Sequence, residues 1–334
     1  MALVSLGDMA QSFMLRRQTV AVKTDLQRLS LELTTGRVSD TAARLSGDLV
    51  PISGIDASLA RLSGYRAVTV EAGLFAGATQ TALGVIDDLA SDLGRTLLMA
   101  TSSGSQALVN AAGVEARSRL DTVMSALNSR VGDRTLFAGN ATNGPATVSS
   151  ETLLQVLDGV IAGATTAQDV QAAVSAWFDA PAGFATAAYT GGGALARVNI
   201  APGEEAALDI TANDPAIRAT LKDLAIAAML GRGALAGLPA ERQSLANRAG
   251  LGLMQSQSDR TYLAARLGTA EAQIEAAAVR NAAETTSLQI ARADLTAVDP
   301  FETASKLKET QQQLEKIYAI TARITRLSLL DYLR

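Results

Sequence analysis

From Leu263 onward, steps of four and three along the chain land on Leu267, Ala270, Ile274, Ala277, Asn281, Glu284, Leu288, Ala291, Leu295 and Val298. A repeat of this period draws one narrow apolar stripe along a helix, so the chain must offer that stripe a partner helix. Only Asn281 and Glu284 are polar, and a polar pair inside a seam is as readily a register device as a flaw. Asp299-Pro300-Phe301-Glu302 then reads as a helix restart, with Asp as N-cap, Pro in the first helical position and Glu three residues after the cap. Beyond it the apolar steps take a different frame: Leu307, Thr310, Leu314, Ile317, Thr321 and Ile324, finished by Leu327, Leu330 and Leu333. Two helices are expected to meet at Pro300.

The amino end has the same spacing in Leu15, Thr19, Val22, Leu26, Leu29 and Leu33, and Thr34-Thr35-Gly36 supplies a C-terminal stop. After Pro51 a second stripe runs through Leu62, Tyr65, Val68, Ala72, Phe75, Thr79, Leu83, Ile86, Ala90, Leu93 and Leu97 at a period near 3.6. Gly64, Gly73, Gly77 and Gly84 argue against one unbroken rod there. A third helix is expected from about Gln106 to Arg130.

Five of the seven prolines lie between Pro145 and Pro239, and the stretch 140–215 turns to Gly, Ala, Thr and Pro. It reads as an inserted α+β unit. Leu153 to Ile161 and Thr166 to Phe178 form two short helices, and Val198-Asn199-Ile200, a turn, and Leu208-Asp209-Ile210 form a hairpin. The expected fold is therefore mainly α: an elongated helical bundle or coiled coil from both chain ends with a small inserted α+β domain. Residues 1–50 and 300–334 are the terminal segments, 51–139 and 216–299 a helical rod, and 140–215 the insertion.

Histidine and cysteine are both absent, which removes thiolate nucleophiles, Ser-His-Asp relays, disulfides and zinc sites built on those ligands. Lys plus Arg numbers 29 and Asp plus Glu 33, a net charge of −4, so no uniform positive field gathers nucleic acid or anionic membrane. No apolar run reaches the ~18 residues of a membrane span, and Met1 to Asp8 meets a charge too early for a secretory signal peptide. Asp87-Asp88 are adjacent on a helix and point about 100° apart, so they read as a solvated face rather than a catalytic pair. Gly191-Gly192-Gly193 reads as a flexible turn and Gly231 to Gly237 as a helix stop. Trp177 beside Phe178 reads as packing onto a small core, and Asn140-Ala-Thr142 as a loop that satisfies a glycosylation sequon only formally. No catalytic, cofactor or metal site is expected, and an enzyme is disfavoured.

A helix of ~30 residues spans ~45 Å and is marginal alone in water, because its stability comes from packing one face. The first and last segments can pair, joining Leu15, Val22, Leu26, Leu29 and Leu33 to Leu307, Leu314, Ile317, Ile324 and Leu330. One pair still leaves apolar surface outside, and head-to-tail packing with neighbouring copies into a ring or open helix would cover it. A self-contained bundle is the plainer alternative. The last segment leans basic, with Lys306, Lys308, Lys316, Arg323, Arg326 and Arg334 against Glu309, Glu315 and Asp331.

Four stretches then carry a resemblance. Tyr318-Ala-Ile-Thr-Ala-Arg-Ile-Thr-Arg-Leu-Ser-Leu-Leu-Asp-Tyr-Leu333 resembles the Leu-rich end of the bacterial flagellin superfamily, and Leu29 to Asp40 its first helix end with a Thr-Gly-Arg turn. Arg134-Thr-Leu-Phe-Ala-Gly139 resembles the loop between its helical rod and variable domain, and Tyr189-Thr-Gly191 that domain's return path. Leu-Phe-Ala-Gly followed by Asn140-Ala-Thr-Asn-Gly-Pro145 is most similar to the hook-associated members. Thr41 to Pro51 departs from the family pattern. The resemblance implies an extracellular structural subunit that joins flagellar hook to filament, exported without a cleaved signal peptide. Its implied partners are further copies, a neighbouring hook-associated protein, flagellin, an export chaperone and the export apparatus, with no nucleic acid, membrane or cofactor. It also implies terminal helices that are disordered until assembly. Filament flagellin, or a coiled-coil secretion-tip or phage-tail protein that folds fully alone, are the alternatives.

Overall fold

The computed structural model describes the backbone of residues 6–332 and the side chains of 9–324 and 326. Along them run α1 (Leu6–Thr35), α2 (Thr41–Arg44), α3 (Val50–Ser102), α4 (Gln106–Leu127), and the paired strands β1 (Arg130–Val131) and β2 (Arg134–Thr135). Then come α5 (Ser150–Val160), α6 (Ala167–Asp179), a π-helical turn (Phe184–Ala188), and the strands β3 (Val198–Ala201) and β4 (Glu204–Ala206). The helices α7 (Pro215–Arg232), α8 (Pro239–Gln255), α9 (Gln257–Thr296) and α10 (Pro300–Tyr332) complete the order. The fold is mainly α, with two small antiparallel strand pairs. The chain divides into two compact units, one from Met1–Arg61 with Ala283–Arg334, the other Leu62–Ala282.

In the second unit the stripe along α3 is buried from Leu62 to Leu97, apart from half-buried Tyr65 and Val68. The glycines do not break it: α3 is one helix of 53 residues. Each glycine weakens a helix by up to ~1 kcal/mol, and burial of the long apolar face outweighs that local penalty. Gly94 has a use, because a methyl group there would stand 3.3 Å from the Gly250 carbonyl of α8, so its absence lets the two helices approach. The same device joins α4 to α7, where a methyl on Gly113 would lie 2.8 Å from the Leu230 Cβ and the Gly231 nitrogen.

One apolar core runs through the whole second unit, from Ala72 and Phe75 on α3 through Leu120, Leu153 and Phe178 to Ile274 and Ala277 on α9. Residues 140–215 contribute to this shared core. Their two helices form where expected, and Thr166 caps α6 in a reciprocal box with Asp169. The hairpin differs from expectation. Pro202-Gly203 turns tightly with Gly203 at φ +75, so Ala201 pairs directly with Glu204 and Ala206 with Val198. The returning strand is thus Glu204–Ala206, and Leu208 and Ile210 are buried beyond it in irregular chain. Likewise α4 stops at Leu127, because Arg130 enters the β1–β2 pair that turns at Gly132, φ +57.

In the first unit α1 packs against α10. At its end, Gly36 takes φ +69 and an antiparallel bridge joins Arg37 to Ala297. The Val38 N–H donates to the Thr296 carbonyl at 2.9 Å and the Val298 N–H to the Gly36 carbonyl at 3.2 Å. These bonds hold the end of α1 beside the start of α10, so that the two helices run antiparallel.

Candidate assembly surface

Asp299 starts α10 as the sequence motif requires. Its Oδ1 accepts from the Phe301 N–H at 2.8 Å and the Glu302 N–H at 3.1 Å. Glu302 does not close a capping box but pairs with Lys306 at 2.7 Å, one turn on. With the start fixed, the seam residues fall on known sides. Val22, Leu29 and Ile317 are buried, and Leu15, Leu26, Leu307, Leu314 and Ile324 are half-buried. Leu33 is exposed, and the Leu330 side chain lies outside the described residues. Lys23 lies 5.6 Å from the Tyr318 ring centroid, a cation–π contact across the pair.

Several large apolar side chains lie bare on the other sides of this pair. Phe13 is 67% exposed, Met14 72% and Phe301 84%, with Met9, Val20, Leu31 and Ile320 also open to solvent. Scattered surface leucines need no explanation, but large side chains concentrated on two thin helices form a surface that water does not favour.

In the second unit, α3 and α9 flank an open groove of about 730 Å³ lined by exposed Val70, Leu74 and Val279, with Glu271 and Glu275 on its wall.

The two middle stretches singled out from the sequence meet. Leu136, Phe137 and Ala138 are buried, the Gly192 N–H donates to the Ala138 carbonyl at 2.9 Å, and the Asn140 N–H to the Gly193 carbonyl at 2.8 Å. Gly191 to Gly193 is therefore a packed crossing and not a flexible turn. A methyl at Gly191 would lie 2.6 Å from the Ala138 carbonyl, so glycine is needed for two backbones to touch. Trp177 is half-buried, edge-on to Phe178 at 5.2 Å, and Phe178 stacks on Phe184.

Asp87 accepts from Arg260 Nε at 2.7 Å and serves as that cation's partner. Among the described residues no group of three or more Asp or Glu side chains could hold a metal ion, and no helix is long and apolar enough to cross a membrane.

Residues 256–333, a stretch that includes α9 and α10, match the family model for the bacterial flagellin C-terminal helical region. The C-terminal end of the chain is similar to that flagellin region. The chain shares its fold with a solved structure described as that of a flagellar hook-associated protein from Vibrio parahaemolyticus. The TM-score is 0.52 at 12% identity, over 72% of this chain and 94% of that one. No curated protein matches it by sequence.

Two buried cations had no sequence signal. Arg260 is 5% exposed, and its guanidinium donates to Asp87, Ser91, Ser256 and the Leu253 carbonyl. Arg242 donates to the Leu230 and Ala234 carbonyls and to Asn110, closing the C-terminal end of α7. Their partners lie up to 173 residues away, beyond the reach of any local motif.

Proposed function

We propose that this chain is a structural subunit of the bacterial flagellum, without enzymatic activity, that joins hook to filament by assembling through α1 and α10. The observation that carries the reading is the α1–α10 pair: one seam partly buried within the pair, large apolar side chains bare on its other sides. Covering such surface is worth ~25 cal/mol per Å², and neighbouring copies of the same pair supply the matching apolar faces. Leu15, Val22, Leu26 and Leu29, with Leu307, Leu314, Ile317 and Ile324, hold the pair, while Leu33, Phe13, Met14 and Ile320 meet the neighbour. The flagellin C-terminal match over α9 and α10 supports a flagellar role, and the neighbour described as hook-associated favours the junction over the filament. On this reading the chain acts outside the cell, reaches its place through the flagellar export apparatus with a chaperone, and contacts a hook-associated protein on one side and flagellin on the other. Residues 140–215 face outward.

The test is the double variant F13E/M14E, expressed in the source bacterium in place of the native chain. Hooks should form and filaments should be missing from them, while the purified variant keeps its helical content. Attached filaments of normal length would overturn the assembly role. Purified native chain that polymerises alone into long filaments would instead favour the filament subunit.

A further inference from the structure

Asp223 sits in the middle of α7 with 5% of its surface exposed. Among the described residues no N–H or O–H group donates to its carboxylate. Its oxygens face Gly252 of α8, where a methyl group would collide with Oδ2 and lie 2.8 Å from Oδ1. The notch left by glycine admits the carboxyl and offers it no partner.

Two charges bear on the group. Lys222 is its sequence neighbour, and Arg260 comes from α9, its donors committed to Asp87, Ser91, Ser256 and the Leu253 carbonyl. The charged groups of α8 act elsewhere: Glu241 on the Ala167 N–H, Arg242 on the α7 carbonyls and Arg248 on Gln171. Glu115 and Arg119 of α4 pair together, and Glu151 and Asp158 of α5 hold Arg232. Burial without hydrogen bonds disfavours the charged form, and it outweighs both cations. We infer that Asp223 is a proton-operated latch on the α7–α8 packing: neutral, it fits the notch at Gly252; ionised, it loosens the two helices. This does not rest on the assembly reading.

Burial raises the Asp223 carboxyl from 3.8 to about 6. A folded-state value above the unfolded one means the folded chain holds the proton more tightly. The stabilisation is complete below the unfolded value and is lost as pH rises through about 6. A shift of this size corresponds to up to ~100-fold in the folding equilibrium. Other carboxylates impose their own trend, so the decisive quantity is the difference between the native chain and Asp223→Asn, which cannot ionise. Urea unfolding of the full chain, followed at helices of the second unit, should show the native chain losing stability relative to D223N between about pH 3.5 and about pH 6.5, with no further change above that. Parallel pH profiles would overturn the latch. Should D223N fail to fold, carbon NMR titration of the native Asp223 carboxyl decides. A midpoint near 6 supports the latch, and one near its ordinary value overturns it.

Discussion

Arg260 shows what a single residue does in this chain. A buried guanidinium is tolerated because a carboxylate, two hydroxyls and a carbonyl accept from it. Removing it leaves those acceptors facing a void. Arg260→Ala should cost about 3 kcal/mol in urea unfolding of the second unit, whereas Asp87→Asn should cost less, since Asp87 is a third exposed and Arg260 keeps its other acceptors. Gly113 carries a prediction of the opposite kind, in which atoms are added. Its methyl would strike Leu230 and the Gly231 backbone where α4 meets α7. Gly113→Ala should destabilise by about 1–3 kcal/mol in the same assay, against the gain an alanine brings to an exposed helix site. Neither residue was legible beforehand. A glycine inside a helix reads as weakness, and only the facing helix reveals that the missing side chain is the contact.

Elements were legible where the local signal and the tertiary need agreed. Asp299-Pro300-Phe301-Glu302 states a helix start in four residues, and the caps at Thr166 and Asp299 form as the residues specify. Asp299→Ala should cost about 1 kcal/mol, read as faster hydrogen exchange at the Phe301 and Glu302 amides, which lose their acceptor. Legibility ended where long-range packing chose between similar readings. Asn281, one of two polar residues in the α9 seam, is buried and donates to the Ile200 carbonyl at 2.8 Å, docking β3 on the helix. Glu284, its polar companion, is exposed. The seam itself changes character along α9: Leu263 to Ala277 are buried, whereas Leu288, Ala291, Leu295 and Val298 are half-buried. A heptad count reports that an apolar stripe exists and cannot report how thick a core receives it. The hairpin erred for a related reason, since the apolar alternation at Leu208-Asp209-Ile210 also describes chain that is buried without being a strand.

At the scale of the whole molecule the two units are unequal in what holds them. The second closes a core of dozens of buried apolar side chains. In the first, the fully buried apolar residues among those described are Val22, Leu29 and Ile317, and most of the seam stays half-wet. Opening free energy follows buried contact, so the units should separate in hydrogen exchange on the purified monomer. Amides of α4 and α7 should exchange only through opening of the second unit, while those of α1 and α10 should exchange orders of magnitude faster despite their helical geometry. Deleting 300–334 removes the partner of Val22 and Leu29 and should leave exchange in α4 and α7 unchanged. Protection in α1 and α10 should appear when copies assemble, because the faces at Phe13, Met14 and Ile320 then gain partners and the ordering entropy is met by burial. Equal protection of both units in the isolated monomer would mean that the pair is stable alone and that assembly is not what orders it.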